Sequence, residues 1–589
     1  MLVFKDVEER NFSRPLLAWI ALFPLLILVF YPAFNGPFLL DDTSAIQANS
    51  EIRHVTIENL VRLVRSHANV RAVDHHPVSA LSFMLDYQWA GLDPFGYRIS
   101  SLVYLWCAAG AVLLLFLTIW PIYQRQQNTT HSPIQTLSMA AAIMTLWAVH
   151  PFATMPANYI TGRQETLLIL FYVLSIAALL RGWLLLCYLS AIASFLCKEV
   201  AVTLPGALFL ADWAASQTTI LQTFRNRLRF YTILTISWLL LCAYHLGGGR
   251  RHEIFANGLP LATSTEYFQA QCAVLATYIS KLLWPVKLQF YPYIRPVESW
   301  SEWVPALLAI LLYIAFAIYS LRWSRWLAVT LVFPLLVLSP TSSVIPIPAE
   351  PAMEYRMFLP SIGFIALIVI AIWRFAPQLW LRAALILAIL LPLATLSHLR
   401  SRDYQTALQL YERDIAIDPR NLNALEGLSG IYRELQLMDR ATASAWKLVD
   451  WAMASNSQDH VGRGFNHLGL IEFDKRNYPA AKDFFERAIG INGNRLASLN
   501  LATVHVQLNE LKAAEQLLNR HLVHSPDSQD ALGMLYETRM SQLNYNEAEK
   551  TLDRLLALYP ERKDLDNQRT RLLNLKRKAA EAAEAGPAR

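Results

Sequence analysis

Long uncharged runs alternate with short polar links over the first 397 residues, and no comparable run follows. Residues 16–34 carry no charged side chain, and at about 1.5 Å per residue a helix of that length covers the hydrocarbon of a bilayer. Further apolar segments fall at 100–122, 135–150, 165–180, 183–197, 200–213, 230–246, 268–284, 303–320, 326–340, 357–373 and 378–396, each a candidate membrane helix by hydropathy. The run at 268–284 includes Gln269, Gln271 and Lys281, so it either lies along the interface or dips in without crossing. No small-residue cleavage site follows the first run, which therefore reads as a retained anchor. The pattern predicts a polytopic helical membrane part.

After residue 397 the apolar runs give way to amphipathic segments of alternating charge. Small residues recur in Tyr404-x-x-Ala407, Asp439-x-Ala441, Tyr478-x-x-Ala481, Leu511-x-x-Ala514 and Tyr545-x-x-Ala548, and Pro419, Pro526 and Pro560 close three of the units. Most of these spacings are about 34 residues, the period of a tetratricopeptide helix pair. In the best unit Leu468-Gly469 sits in the first helix and Ala481, Phe485 and Ala488 in the second, small residues admitting close approach and large ones filling the gap. The longer step from Ala441 to Ala481 marks an irregular unit or an insertion near 452–463. A soluble helical solenoid with a groove for extended peptides or partner helices is expected, the bland alternative being a spacer or dimerisation arm. The fold class is thus all-α, with a membrane domain at 1–397, a repeat domain at 398–575 and a flexible tail at 576–589.

Composition agrees at the scale of the whole chain. Hydrophobic residues make up 54% of 589, with 17 Trp and a mean hydropathy of +0.30, too apolar for a wholly soluble protein. The net charge of +6 comes from Lys and Arg scattered among Asp and Glu, which gives no nucleic-acid signature. Five cysteines lie in or beside apolar stretches without CxxC spacing, so neither a disulfide framework nor a zinc site is expected.

Basic residues orient the bundle. With the N-terminus inside and 268–284 not crossing, the inner links hold Arg125, Arg181, Arg225 with Arg227 and Arg229, Arg322 with Arg325, and Arg374 with Arg382. One outer face then collects the polar loops 35–98, 151–164, 197–200, 247–302 and 341–356, together with the repeats.

Candidate chemistry lies on those loops. Asp41 and Asp42 follow the first run directly, in Phe38-Leu39-Leu40-Asp41-Asp42-Thr43. Later come His76-Pro77, Gly162-Arg163-Gln164-Glu165, Lys198-Glu199, Arg250-Arg251-His252-Glu253 and Glu354-Tyr355-Arg356. Ionisable groups this close to hydrocarbon are costly unless paired or hydrated, which makes each a site candidate, with an ion-paired anchor as the competing reading. For His75 and His76 the structural reading is stronger, since neighbouring side chains diverge and no third ligand stands at metal spacing. Arg163, Lys198, Arg251 and Arg356 suit a phosphate. The acidic pair suits a general base or a divalent metal such as Mg²⁺ or Mn²⁺; a base alone suffices, and no metal ligands are assigned. Consecutive side chains diverge, so the two aspartates are expected to take different roles.

Several ordered motifs carry a family resemblance: Phe38-Leu39-Leu40-Asp41-Asp42-Thr43-Ser44-Ala45-Ile46, His76-Pro77-Val78 with Leu81-Ser82-Phe83, and Gly91-Leu92-Asp93-Pro94-Phe95-Gly96-Tyr97. Others are His150-Pro151 with Gly162-Arg163-Gln164-Glu165, Lys198-Glu199, and Glu354-Tyr355-Arg356 with Leu359-Pro360-Ser361. In this order, and with repeats after the membrane part, they resemble the transmembrane and tetratricopeptide repeat-containing O-mannosyltransferases, which are similar in fold to GT-C glycosyltransferases. The resemblance implies a catalytic first outer loop at 35–98 with Asp41 and Asp42 at its centre. It implies a donor pocket drawing on Arg163, Lys198, Glu199 and Arg356; His76, Arg251 and Glu354 complete the set of donor-site candidates. One departure is His76, where relatives tend to have Arg.

The function expected is inverting transfer of a sugar from a polyprenyl-phosphate carrier to Ser or Thr of an acceptor protein held by the repeats. The expected location is a bacterial inner membrane, with site and repeats on the periplasmic face. Two other readings stay open: a lipid-linked oligosaccharide or O-antigen ligase acting on a glycan, and a non-enzymatic membrane-anchored scaffold for envelope assembly.

Overall fold

A computed structural model describes residues 13–65, 76–247, 263–342, 351–492, 495–559 and 562–584. Every regular element among the described residues is helical. The chain divides into two compact units, one ending at Pro419 and the other beginning at Arg420. The composition change at 397 falls inside a single helix that runs on to Asp403.

The membrane unit comprises α1 (Ser13–Phe30), α2 (Ile57–Arg65), α3 (Pro77–Ala90), α4 (Pro94–Gln127), α5 (Pro133–Val149), α6 (Thr154–Asn158), α7 (Arg163–Leu180), α8 (Leu184–Phe195) and α9 (Leu204–Ser216). It continues with α10 (Ile220–Asn226), α11 (Leu228–Gly247), α12 (Ser264–Leu283), α13 (Trp300–Tyr319), α14 (Arg325–Leu338), α15 (Phe358–Phe375), α16 (Leu379–Asp403) and α17 (Ala407–Ile417). Local chemistry sets several starts. Asp93 accepts the Phe95 N–H, with Pro94 at the first helical position, and Ser132 and Gln135 form a reciprocal capping box ahead of α5.

Among the described residues six helices are long and apolar enough to cross a membrane. A seventh is added if α5 and the Pro151–Asn158 segment, bent by 54° at His150, count as one span. Segments 183–197, 230–246 and 326–340 form shorter apolar helices, and neither 200–213 nor 268–284 supplies a qualifying span. The last is polar enough to explain this: Gln271 is buried and donates to the Pro351 carbonyl. The core packs α4 against α5 and α7. Trp19 of α1 and Trp106 of α4 stack at 3.9 Å, and each indole N–H donates to the other residue's carbonyl at 2.8 Å. Gly110 leaves room for them, since a Cβ there would come within 2.8 Å of the Trp19 indole nitrogen.

The repeat unit comprises α18 (Leu422–Glu434), α19 (Met438–Ala454), α20 (Gln458–Asp474), α21 (Tyr478–Asn492), α22 (Arg495–Gln507), α23 (Leu511–His524), α24 (Gln529–Ser541), α25 (Tyr545–Leu558) and α26 (Lys563–Glu584). Five of its turns share one device. Gln436, Asn456, Arg476, Asn509 and Leu543 adopt left-handed φ of 53–61°, and the next N–H reaches back to the last turn of the preceding helix, as in Leu437 to Tyr432 and Asn544 to Arg539. Ala481, Phe485 and Ala488 are buried as the pattern requires, and a Cβ on Gly469 would lie 2.6 Å from the Phe485 ring. The long step between Ala441 and Ala481 holds no looped insertion. The extra residues lengthen α19 and α20 to 17 residues each, against 13 to 15 in the next five helices. Helix α26 continues through Lys576 to Glu584.

Candidate active site

Asp41 and Asp42 sit at a corner that is held from several sides. Beyond α1 the chain turns through Tyr31–Ala33, and Arg98 of α4 clamps the irregular segment that follows. Its guanidinium donates to the Gly36 carbonyl, to Pro37 O at 2.6 Å and to Asn158 O at 3.2 Å. Gly36 must lack a side chain, because a Cβ there would stand 2.5 Å from Tyr404 O and 3.2 Å from Ala33 O. Leu40, immediately before the pair, has φ +45°, a conformation that costs a branched residue about 1 kcal/mol or more and persists only where surroundings enforce it.

The corner separates the two carboxylates. Asp42 is 0% exposed; one oxygen accepts the Leu39 N–H at 3.0 Å and the other the Thr161 N–H at 2.9 Å. Burial pushes its pKa up to about 6, against the pull of those amides and of Arg98. Asp41 is exposed; its N–H donates to the Tyr159 hydroxyl at 3.1 Å, and Ser44 Oγ donates to its carbonyl at 3.1 Å. Asp42 therefore secures the loop to the α6–α7 link while Asp41 is carried on the outside of the turn. Both Asp42 oxygens thus already accept amide protons in a buried site. Among the described residues no three His, Cys, Asp or Glu side chains converge as a metal site.

A second cluster assembles from four separate segments. His76, ahead of α3, lies 3.0 Å from Glu199; Lys198 pairs with Glu165 in the first turn of α7 and stands 4.3 Å from the centre of the Tyr355 ring. Burial disfavours the Lys198 ammonium, yet Glu165, Tyr355 and Glu199 outweigh it and hold its pKa above the ordinary lysine value. The α3 start is anchored here by Val78 N–H to Leu196 O and by Ser79 Oγ to Cys197 O, both at 3.3 Å. The short stretch from Tyr159 to Glu165 touches both the acidic corner and this cluster.

The remaining candidates are placed differently. Arg163 is 0% exposed. Its guanidinium pairs with Asp86, donates to Ser101 Oγ at 3.1 Å and to the Tyr97 carbonyl, and lies 4.6 Å from the Phe83 ring centre. In this chain it ties α3, α4 and α7 together, and its donors are spent on protein groups. Glu354 pairs with Lys281 of α12 and accepts the Gln289 N–H at 2.9 Å. Arg356 is buried and reaches the Thr341 and Pro351 carbonyls at 3.4 Å. Arg251 lies outside the described residues. Arg98, Lys281 and Tyr355 were assigned no role from the sequence: Arg98 follows the Gly91–Tyr97 motif, Tyr355 sits between two assigned residues, and Lys281 stood out only as a charge in the 268–284 run. Tyr159 offered no signal, since nothing local marks it as the residue beneath Asp41.

A tetratricopeptide repeat family model matches residues 465–531. Among curated proteins, the Drosophila melanogaster protein O-mannosyl-transferase Tmtc3 is 26% identical over 230 residues, covering 33% of this chain and 24% of that protein. Mus musculus TMTC4, of the same name, is 24% identical over 458 residues, covering 67% and 61%. Homo sapiens TMTC3 is 22% identical over 582 residues, covering 84% and 59%. The matched stretch thus spans less than two thirds of each relative. In its relatives, its membrane-length helices and its repeats, the chain is similar to the transmembrane and tetratricopeptide-repeat O-mannosyl-transferases, as its ordered motifs imply.

Proposed function

We propose that the chain is an inverting membrane glycosyltransferase that moves a sugar from a polyprenyl-phosphate carrier to Ser or Thr hydroxyls of proteins on the non-cytoplasmic face. Mannose is the sugar that the names of its relatives favour. The observation that carries this reading is the division of labour at the corner: Asp42 is buried and bound to two amides, while Asp41 is exposed on a turn that Leu40, Arg98 and Tyr159 hold in place.

In this reading Asp41 accepts the proton of the acceptor hydroxyl. As that O–H breaks, the oxygen bonds to the anomeric carbon, the opposite carbon–oxygen bond to phosphate breaks, and polyprenyl phosphate departs with the bonding pair. Attack opposite the leaving group inverts the anomeric centre. Such a positioned base contributes about 10²- to 10⁴-fold. Lys198, 21% exposed at the side chain, is the cation of the second cluster best placed to offset charge developing on the phosphate, with His76 beside it. Arg163 serves by holding α7, and through it Glu165, in register. The repeats hold the acceptor polypeptide.

The test is transfer by the purified chain in lipid bilayers, given polyprenyl-phosphate mannose and a peptide rich in Ser and Thr. The expected product is peptide carrying one hexose on a hydroxyl, with anomeric configuration opposite to the donor. Retention of configuration, or transfer to a glycan acceptor but to no peptide, would overturn the reading.

A further inference from the structure

The repeat unit contains a cavity of about 400 Å³ between α23 and α25, with α24 beneath it, within the size range of pockets that bury ligand groups. Its floor is built on Leu522, Leu532 and Leu535, all buried, and Asn519 and Thr551 add uncharged polar groups to the wall. At the lip Val523 is 74% exposed, although it heads an otherwise polar helix end. Among the described residues the charged groups lining the cavity are Arg539, Lys550 and Arg554, with no carboxylate in the lining itself and Glu547 beside it.

The three cations are not equivalent. Arg539 is a strut, donating to Glu515 at 2.8 Å and to Thr551 Oγ1 at 2.7 Å. Lys550 is spent only on an exposed pair with Glu547 three residues before it on the same helix, an interaction worth a few tenths of a kcal/mol that a ligand displaces at little cost. Arg554 donates to the Pro526 carbonyl at 2.6 Å and makes no ion pair among the described residues. Lys550 and Arg554 stand four residues apart on α25 and so share one face. Two available cations above an aliphatic floor complement a ligand with carboxylates flanking an aliphatic side chain.

We propose that this cavity docks an acidic segment of a partner protein, one Leu or Ile side chain entering over Leu532 and Leu535 while flanking Asp or Glu carboxylates meet Lys550 and Arg554. The site is independent of the sugar-transfer reading. It is tested by fluorescence anisotropy on the full-length protein in lipid nanodiscs, with a labelled peptide alternating Asp or Glu with Leu, and its counterpart in which every acid is the matching amide. The acidic peptide is expected to bind and to weaken as salt is raised. Lys550→Glu and Arg554→Glu are each expected to weaken it by about tenfold, and Val523→Asp to weaken it as well. Arg520→Glu, an equal change of net charge on exposed α23 surface outside the cavity, is expected to leave affinity within about twofold. Equal binding of the amide peptide, absence of binding, or a loss in Arg520→Glu matching that in Arg554→Glu would overturn the proposal.

Discussion

The two units of this chain use charge in opposite ways. In the membrane unit several ion pairs are sunk into the structure, beside exposed ones such as Arg62 with Glu58: Arg163 with Asp86 has side-chain exposures of 0% and 3%, and Lys281 with Glu354 joins segments far apart in sequence. In the repeat unit pairs such as Arg487 with Asp483, four residues apart, are 54% and 56% exposed. A buried pair must be completed to be tolerated, because removing one partner strands a charge in a dry site. An exposed pair is a surface ornament in energetic terms. The membrane unit therefore adds a few buried polar contacts to its apolar core, while the repeat unit relies chiefly on periodic apolar packing.

The widest difference should come from asking each unit to lose a charge. Arg163→Ala leaves Asp86 buried without its partner and is expected to destabilise the membrane unit by about 3–5 kcal/mol, seen as loss of folded protein after detergent extraction and denaturant challenge. Next in size is packing in the repeats: Gly469→Ala forces a methyl against Phe485 and should cost about 1–3 kcal/mol, read from the far-ultraviolet unfolding transition of the repeats.

Asp42 tests the comparison by pH. Its pKa rises from an ordinary 3.8 to about 6 on folding, so between those values the folded chain holds a proton that the unfolded chain has lost. Stability contributed by this group therefore falls as pH rises through that window. Relative to Asp42→Asn, the wild type should gain up to about 3 kcal/mol between pH 6.5 and 4, in paired denaturant titrations; parallel curves would contradict it. The smallest effect belongs to Arg487→Ala, expected within about 0.5 kcal/mol of wild type by the same unfolding measurement.

The same contrast explains what could be read in the chain beforehand. Apolar runs and the small-residue period gave the helices and repeats, because amphipathic packing is written in local spacing. The acidic pair stood out because charge beside a membrane run is costly. Which aspartate faces outward was not legible: it is set by Thr161, 119 residues away, and by Arg98, 56 residues from Asp42. Arg163 looked like a phosphate ligand for the same reason, since its motif is local and its partner Asp86 lies 77 residues earlier. Of the two readings of the long step near 452–463, an irregular unit or an insertion, the structure shows the irregular unit, with two longer helices; residue spacing alone does not separate a loop from an extra helical turn. The repeated left-handed turns went unseen because Gln436, Asn456, Arg476, Asn509 and Leu543 fill a position where glycine would have signalled it.

The central claim is that one aspartate does chemistry while its neighbour builds the loop. Single-turnover sugar transfer and the unfolding midpoint, measured on one preparation of Asp41→Asn, address it most directly. The expected result is transfer slowed by at least about 100-fold with the midpoint unchanged, because it is Asp42 that accepts the Leu39 and Thr161 amides. Transfer at the wild-type rate, or a loss matched by an equal loss of folded protein, would contradict it.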